Sequence, residues 1–154
     1  NKLRKLSARG VAEADLFQMR SYCRNSLKQL AEWCETLAQT GEVEVIFRPR
    51  PATSSREMRR FFAQEAGIAQ PSFHLTKAFS AREWVLAAQT VASSYSTVLI
   101  EAALAGKEIL IAAPEPIPES LRYEWCSLVP QAATCQMFIN ACSEKSADSG
   151  AALK

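Results

Sequence analysis

The sequence predicts an α/β fold of the Rossmann-like class, three layers with helices on both faces of a mostly parallel sheet. Two observations carry that expectation. Strand-like and helix-like segments alternate four times along the chain. Within one run, Val91–Ala113 (VASSYSTVLIEAALAGKEILIAA) reads as strand end, polar turn, helix, stop and next strand. A third observation cuts across them. A sheet of this class opens with a strand before its first long helix, and Asn1–Val11 is a poor strand. Either that strand is missing, which leaves a gap in the middle of the sheet, or another segment fills its place.

The elements follow in order. Asn1–Ala12 is basic and lacks periodicity, so it reads as a loop or frayed start. Asp15–Gln39 is the longest helix candidate, because Leu16, Met19, Cys23, Leu27, Leu30, Cys34 and Leu37 recur at spacings of three and four and share one face. Lys28, Glu32 and Glu35 take its wet side, and Gly41 stops it. Val43–Phe47 is a short strand rich in β-branched residues. Arg48-Pro49-Arg50-Pro51 ends it, since the prolines forbid continuation and stiffen the turn. Ser54-Ser55-Arg56-Glu57 has capping-box spacing and opens a helix to about Ala66, ended by Gly67. Phe73–Leu75 is a strand, and Ser80-Ala81-Arg82-Glu83 is a second capping box opening a helix to about Ala88. Val91–Ala92, the Ser93–Thr97 turn, a Val98–Ala105 helix stopped by Gly106, and an Ile109–Ala112 strand come next. Pro114–Pro118 is a rigid linker to a helix at Glu119–Leu128, stopped by Pro130. Ala132–Cys142 is a last apolar helix. The expected organisation is one domain over 1–142 and a polar tail over 143–154, with no internal repeat.

Composition narrows the function. The chain has 154 residues, 48% hydrophobic and 22% charged, enough for one domain with a real core. A net charge of +2 excludes a strongly basic nucleic-acid binder yet allows a local basic patch. The amino end has no apolar core, so no signal peptide is expected, and no apolar run is long enough to span a bilayer. A cytoplasmic location follows, with the inner face of the membrane as a variant of it. The chain opens at Asn1 rather than at a methionine, so it is expected to be part of something longer. Cys23, Cys34, Cys126, Cys135 and Cys142 form no CxxC pair, and one histidine accompanies them, so no metal site is expected. Buried, reduced thiols are the expectation, with Cys23 and Cys34 on the apolar helix face.

In an open parallel sheet, ligands sit beyond the carboxyl ends of the strands. Three loops there carry chemistry: Arg48 and Arg50; Lys77 with His74 nearby; and Ser93–Thr97. The first amides of a helix lack partners and its dipole favours anions, so Ser94, Ser96 and Thr97 mark an anion cradle, with Ser96 or Thr97 as N-cap. Two arginines, hydroxyls and free amides suit a diphosphate or a phosphodiester. Against this, Arg48 and Arg50 could be solvated charges after a strand. Glu101 is a lone carboxylate on an apolar helix, either facing solvent or reaching the hydroxyls of a ligand. His74 reads as a strand residue before a catalytic base, Trp84 and Trp125 as core anchors, and Glu115, Glu119 and Glu124 as solvated acids.

The segment SSYSTVLIEAALAGKEILIA resembles the donor-binding segment of GT-B glycosyltransferases, where a hydroxyl-rich turn and an E-A-x-x-x-G helix precede a strand. Ser80–Pro130 is similar to proteins of surface carbohydrate or capsular polysaccharide biosynthesis, and the resemblance runs from about Glu42 to Pro130. It implies the carboxyl-terminal, donor-binding half of such an enzyme, with a nucleotide-sugar as substrate and no separate cofactor or metal. By position, Ser96 and Thr97 would face the phosphate. Glu101 would meet ribose hydroxyls, and Arg48 would neutralise the leaving phosphate. The acceptor, a saccharide or a lipid-linked one, and usually the base, would belong to an amino-terminal domain absent here. The glycine-rich loop expected after the first strand is also absent. This fragment alone would therefore bind weakly and catalyse nothing, and its uncovered apolar surface leaves a homo-oligomer open. Alternatives are an alditol-phosphate transferase, half of a sugar-nucleotide epimerase, or a Rossmann-like module that binds protein partners.

Overall fold

A computed structural model describes Gly10 and residues 12–143. The expected loop at Asn1–Ala12 and the polar tail at 143–154 fall almost wholly outside those residues. The molecule is α/β. Its order is α1 (Glu13–Gln39), β1 (Ile46–Phe47), α2 (Ser55–Phe61) running into a π-turn (Phe62–Ala66), β2 (His74–Leu75), α3 (Ala81–Ala87), β3 (Thr90–Ser93), α4 (Val98–Leu104) and β4 (Glu108–Ala112). Two 3-10 turns (Glu119–Leu121 and Glu124–Leu128), β5 (Gln131–Ala132) and α5 (Cys135–Ser143) complete it.

Every strand pair is parallel, but the strands form two short sheets. β1 pairs with β2, Ile46 opposite His74 and Phe47 opposite Leu75. β4 lies between β3 and β5, with Ala92 opposite Leu110 and Ala112 opposite Ala132. The single sheet expected from the alternation is thereby corrected. Pro49 and Pro51 cannot extend a ladder, so β1 ends after two residues and offers too few bonds to recruit further neighbours.

β4 is the hub of the core. Leu110 and Ala112 enter one cluster with Ala31, Cys34 and Leu37 of α1, Met58 and Phe62, and Phe138 of α5. Ile111, between them, enters a second cluster with Leu99 of α4, Ile117 and Cys126. Alternate residues of one strand are therefore buried on opposite faces, as a strand covered on both sides requires. α1 is 27 residues long and serves both clusters, Tyr22 in the second and Ala31–Leu37 in the first. Its stripe is not the one expected at the amino end, because Cys23 is exposed while Tyr22 and Ser26, one turn apart, are buried. Cys34 is buried as expected, and burial pushes its thiol up to about 12; Cys142 is pushed up to about 11 for the same reason. A thiol reagent applied to the folded protein should therefore modify Cys23 first and leave Cys34 and Cys126 protected until unfolding, measured by mass spectrometry of labelled peptides.

Both capping boxes form as the spacing predicts. Ser54 Oγ accepts from the Glu57 amide at 3.1 Å while the Glu57 carboxylate accepts from the Ser54 amide at 2.9 Å. Ser80 and Glu83 repeat the arrangement at 3.2 and 2.7 Å. The Ser54 side chain, then the Ser54 amide, hold Glu57 below its ordinary value of 4.5; the Ser80 amide, then the Ser80 side chain, do so for Glu83. The stability these carboxylates add is present above about pH 4.5 and is lost as pH falls through their lowered folded values. The variant Ser54→Ala/Ser80→Ala should melt about 4–8 °C lower at neutral pH and lose less stability on acidification than the parent, read by thermal melts from pH 7 to 3.

Glycine stops are equally local. Gly106 has φ 69°, its amide bonds Ala103 O and the Lys107 amide bonds Ala102 O, a Schellman closure of α4. Two carboxyl-terminal expectations need correction. Glu119–Leu128 is two 3-10 turns and not one helix, because Arg122 and Tyr123 are extended and the Tyr123 and Trp125 rings stack at 5.9 Å. Ala132 belongs to β5, and α5 begins only at Cys135. Apolar continuity hid the two-residue strand. No helix of the described residues is long and apolar enough to cross a membrane.

Candidate functional site

The loop after β1 and the turn after β3 meet. The Arg50 guanidinium lies 5.3 Å over the Tyr95 ring, a cation–π contact between two loops that each follow a strand's carboxyl end. Tyr95 is fixed further by its hydroxyl, 3.2 Å from Cys23 Sγ, and by the Tyr22 ring at 6.1 Å. Burial raises the Tyr95 phenol above its ordinary value of 10.0 and the Cys23 contact adds to this, while Arg50 pulls the other way. The tyrosine thus remains neutral at physiological pH, a packed support for a positive charge.

Arg48 is half-buried, one residue outside β1. Its Nη2 donates to the Phe79 carbonyl at 3.0 Å, which ties this loop to the one after β2. Its Nε is enclosed and has no hydrogen-bond partner among the described residues. Closed off from solvent in this conformation, that atom is out of reach of an incoming anion, and what Arg48 offers the mouth is its charge. Lys77, the third basic residue of this region, is committed elsewhere: its Nζ donates to Pro51 O at 2.7 Å and Thr53 O at 3.1 Å, clamping the Arg48–Pro51 loop. The loop is stiff because of this clamp as well as its prolines.

Ser94 and Ser96 are half-buried and Thr97 is exposed in the turn entering α4. The expected capping is corrected in detail. Thr97 occupies the N-cap position but is already helical in conformation and makes no side-chain cap bond. Ser96 makes the local contact, its Oγ accepting from the Val98 amide at 3.4 Å. With only seven residues in α4, any contribution of its dipole is small. Glu101 is exposed on α4 and makes no side-chain hydrogen bond among the described residues.

His74 stands apart from this mouth. It is exposed, with Nε2 3.4 Å from Glu44 Oε1, a surface pair on β2. Glu115 accepts from Gln29 at 3.4 Å, while Glu119 and Glu124 are exposed. Trp84 and Trp125 are half-buried, not full core anchors; the Trp84 indole donates to Ala78 O at 2.7 Å. A depression of about 320 Å³, lined by Leu27, Ala52, Thr53, Glu57, Met58 and Phe61, contains none of the expected donor-binding residues. No group of acids, histidines and cysteines that could hold a metal ion occurs among the described residues.

Two residues that sequence reasoning passed over join the loops: Tyr95, by its ring, and Phe79, by its carbonyl. Tyr95 had a signal, a large aromatic in a run of small hydroxyl residues. No protein-family model, curated protein or solved structure matches this chain.

Proposed function

We propose that this chain is the nucleotide-sugar-binding half of a GT-B type glycosyltransferase acting in surface polysaccharide biosynthesis. The observation that carries the reading is the contact of Arg50 with Tyr95, which brings a guanidinium loop and a hydroxyl turn to one mouth. The half-buried Arg48 adds a second positive charge to the same loop, and the parallel strands alternating with helices are compatible with a Rossmann-like three-layer domain. In this reading Arg48 and Arg50 neutralise the diphosphate, and Ser94, Ser96 and Thr97 offer hydroxyls and amides to it. Glu101 accepts from ribose hydroxyls. Catalysis in the whole enzyme is then electrostatic, by cations fixed in place before the phosphate departs. An acceptor saccharide or lipid-linked saccharide and an amino-terminal domain are its partners, and its place is the cytoplasm, with the inner face of the membrane as a variant.

One observation favours a second reading, a module that binds a protein partner. Leu86 on α3 and Ile100 and Leu104 on α4 are exposed large apolar residues. A panel of CMP, CDP and UDP in a thermal-shift measurement separates the two. Stabilisation by a nucleotide supports the donor-binding half, and no response to any of them removes it in favour of the module.

A further inference from the structure

Phe79 has an unusual backbone: φ is 61°, the only positive φ at a non-glycine residue among the described residues. For a bulky side chain this left-handed conformation is strained and persists only where its surroundings impose it. Its surroundings do so from both sides. Arg48 Nη2 holds the Phe79 carbonyl at 3.0 Å, and the Trp84 indole holds the preceding Ala78 carbonyl at 2.7 Å. The ring itself gains little from this. It meets Trp84 edge-on, 6.0 Å between centroids, across the Ser80 capping box in the manner of a hydrophobic staple, yet Phe79 remains 69% exposed. A staple explains one edge of the ring, but it requires neither a left-handed backbone nor an open ring face. The strained residue thus holds a largely exposed ring beside the loop after β1, with its carbonyl anchored to Arg48.

Resting on the nucleotide reading given above, we propose that Phe79 is the platform on which the heteroaromatic base of the bound nucleotide stacks. Arg48 couples the two recognitions, because the guanidinium that fixes the platform loop with Nη2 also carries one of the two positive charges of the loop after β1. Stacking on an open aromatic tolerates any base, so the platform contributes affinity for a nucleoside part while the arginines contribute affinity for phosphate.

Calorimetric titration of the full chain with UDP, CDP, ribose 5-phosphate and inorganic pyrophosphate tests this. Phe79→Ala should weaken UDP and CDP by about 5- to 150-fold, the range that loss of one base stack gives, and change pyrophosphate by less than about twofold. Phe79→Trp should keep UDP within about threefold of the parent. Phe79→Gly should weaken UDP as Phe79→Ala does but melt a few degrees higher than it, about 2–4 °C, since only glycine relieves the left-handed backbone. If the parent binds UDP and Phe79→Ala binds it equally well, the platform is overturned and the donor-binding reading stands. If the parent binds pyrophosphate but gains nothing from a base, the platform is likewise overturned. If the parent binds none of the four, both fall.

Discussion

Phe62→Ala should destabilise the folded protein by about 3–5 kcal/mol, the range for emptying a fully enclosed phenylalanine site. Phe62 is 0% exposed, the largest fully enclosed side chain among the described residues. Three rings meet it: Phe47 of β1 at 5.1 Å and Phe73 at 5.5 Å, both near-perpendicular, and its neighbour Phe61 at 6.2 Å. Phe47 and Phe73 also touch each other at 5.6 Å, so the three form a closed triangle beneath the two-residue sheet. Deleting Phe62 removes the edge-to-face contacts along with the buried area, and β1 and β2 are too short to hold their register alone. The backbone there is also special. Phe62 opens the π-turn, and its carbonyl receives the Gly67 and Ile68 amides that end the helix. Chemical denaturation monitored by far-UV circular dichroism would read the loss. Leu104→Ala is the matched contrast, because Leu104 is 85% exposed and its removal should stay within about 0.5 kcal/mol of the parent. Equal effects from the two substitutions would mean that the ring triangle does not anchor the β1–β2 sheet.

On the proposed donor-binding reading, Arg48→Ala should weaken binding of UDP or CDP by about 10- to 100-fold, and Arg50→Ala by about tenfold, the scale of lost charge-assisted hydrogen bonds to a phosphate. The two arginines differ in kind. Arg50 is exposed, and beyond its contact with Tyr95 its side chain makes no hydrogen bond or ion pair among the described residues, so its removal should leave the melting temperature near that of the parent while weakening the ligand. Arg48 is half-buried and also restrains Phe79, so its removal should cost stability too. Arg48→Lys then separates the effects: it keeps the charge but not the planar fork, and should bind more weakly than the parent while remaining folded. Glu101→Gln should weaken nucleotides but spare pyrophosphate, which has no ribose. His74→Ala, on the outward face of β2 and paired among the described residues with Glu44 alone, should change neither ligand. Nucleotide affinity that survives loss of both arginines would remove the phosphate role assigned to the β1 loop.

Much of the local architecture was legible because it is written within a few residues. The Ser54 and Ser80 boxes, the Gly67 and Gly106 stops and the carboxyl-terminal part of the α1 stripe each depend on contacts three to five positions apart. The α/β class follows from the same local signals. What sequence could not supply is set by partners far along the chain. Whether β1–β2 joins β3–β4–β5 depends on bonds between segments, and two-residue strands leave no period to read. Cys23 fits the apolar stripe of α1 by spacing, yet Tyr22 takes the inward position because Tyr95 and Ile111 are there to receive it. The arginine pair at the mouth was legible from its prolines, whereas its supports were not. Tyr95 beneath Arg50, Lys77 spent on loop carbonyls, and the forced Phe79 conformation are tertiary facts.

Dividing the strands between two ladders doubles the number of outer borders on which amide and carbonyl rows go unmatched. Extended polypeptides polymerise along such borders when they are long and flat. Here the ladder β1–β2 presents only two residues on either margin, and β5 ends the other ladder with two more. The four residues Thr90–Ser93 are the longest open margin, and they are polar at both ends. Brevity thus does for this molecule what closure does for a barrel: it denies a neighbouring chain a template worth copying.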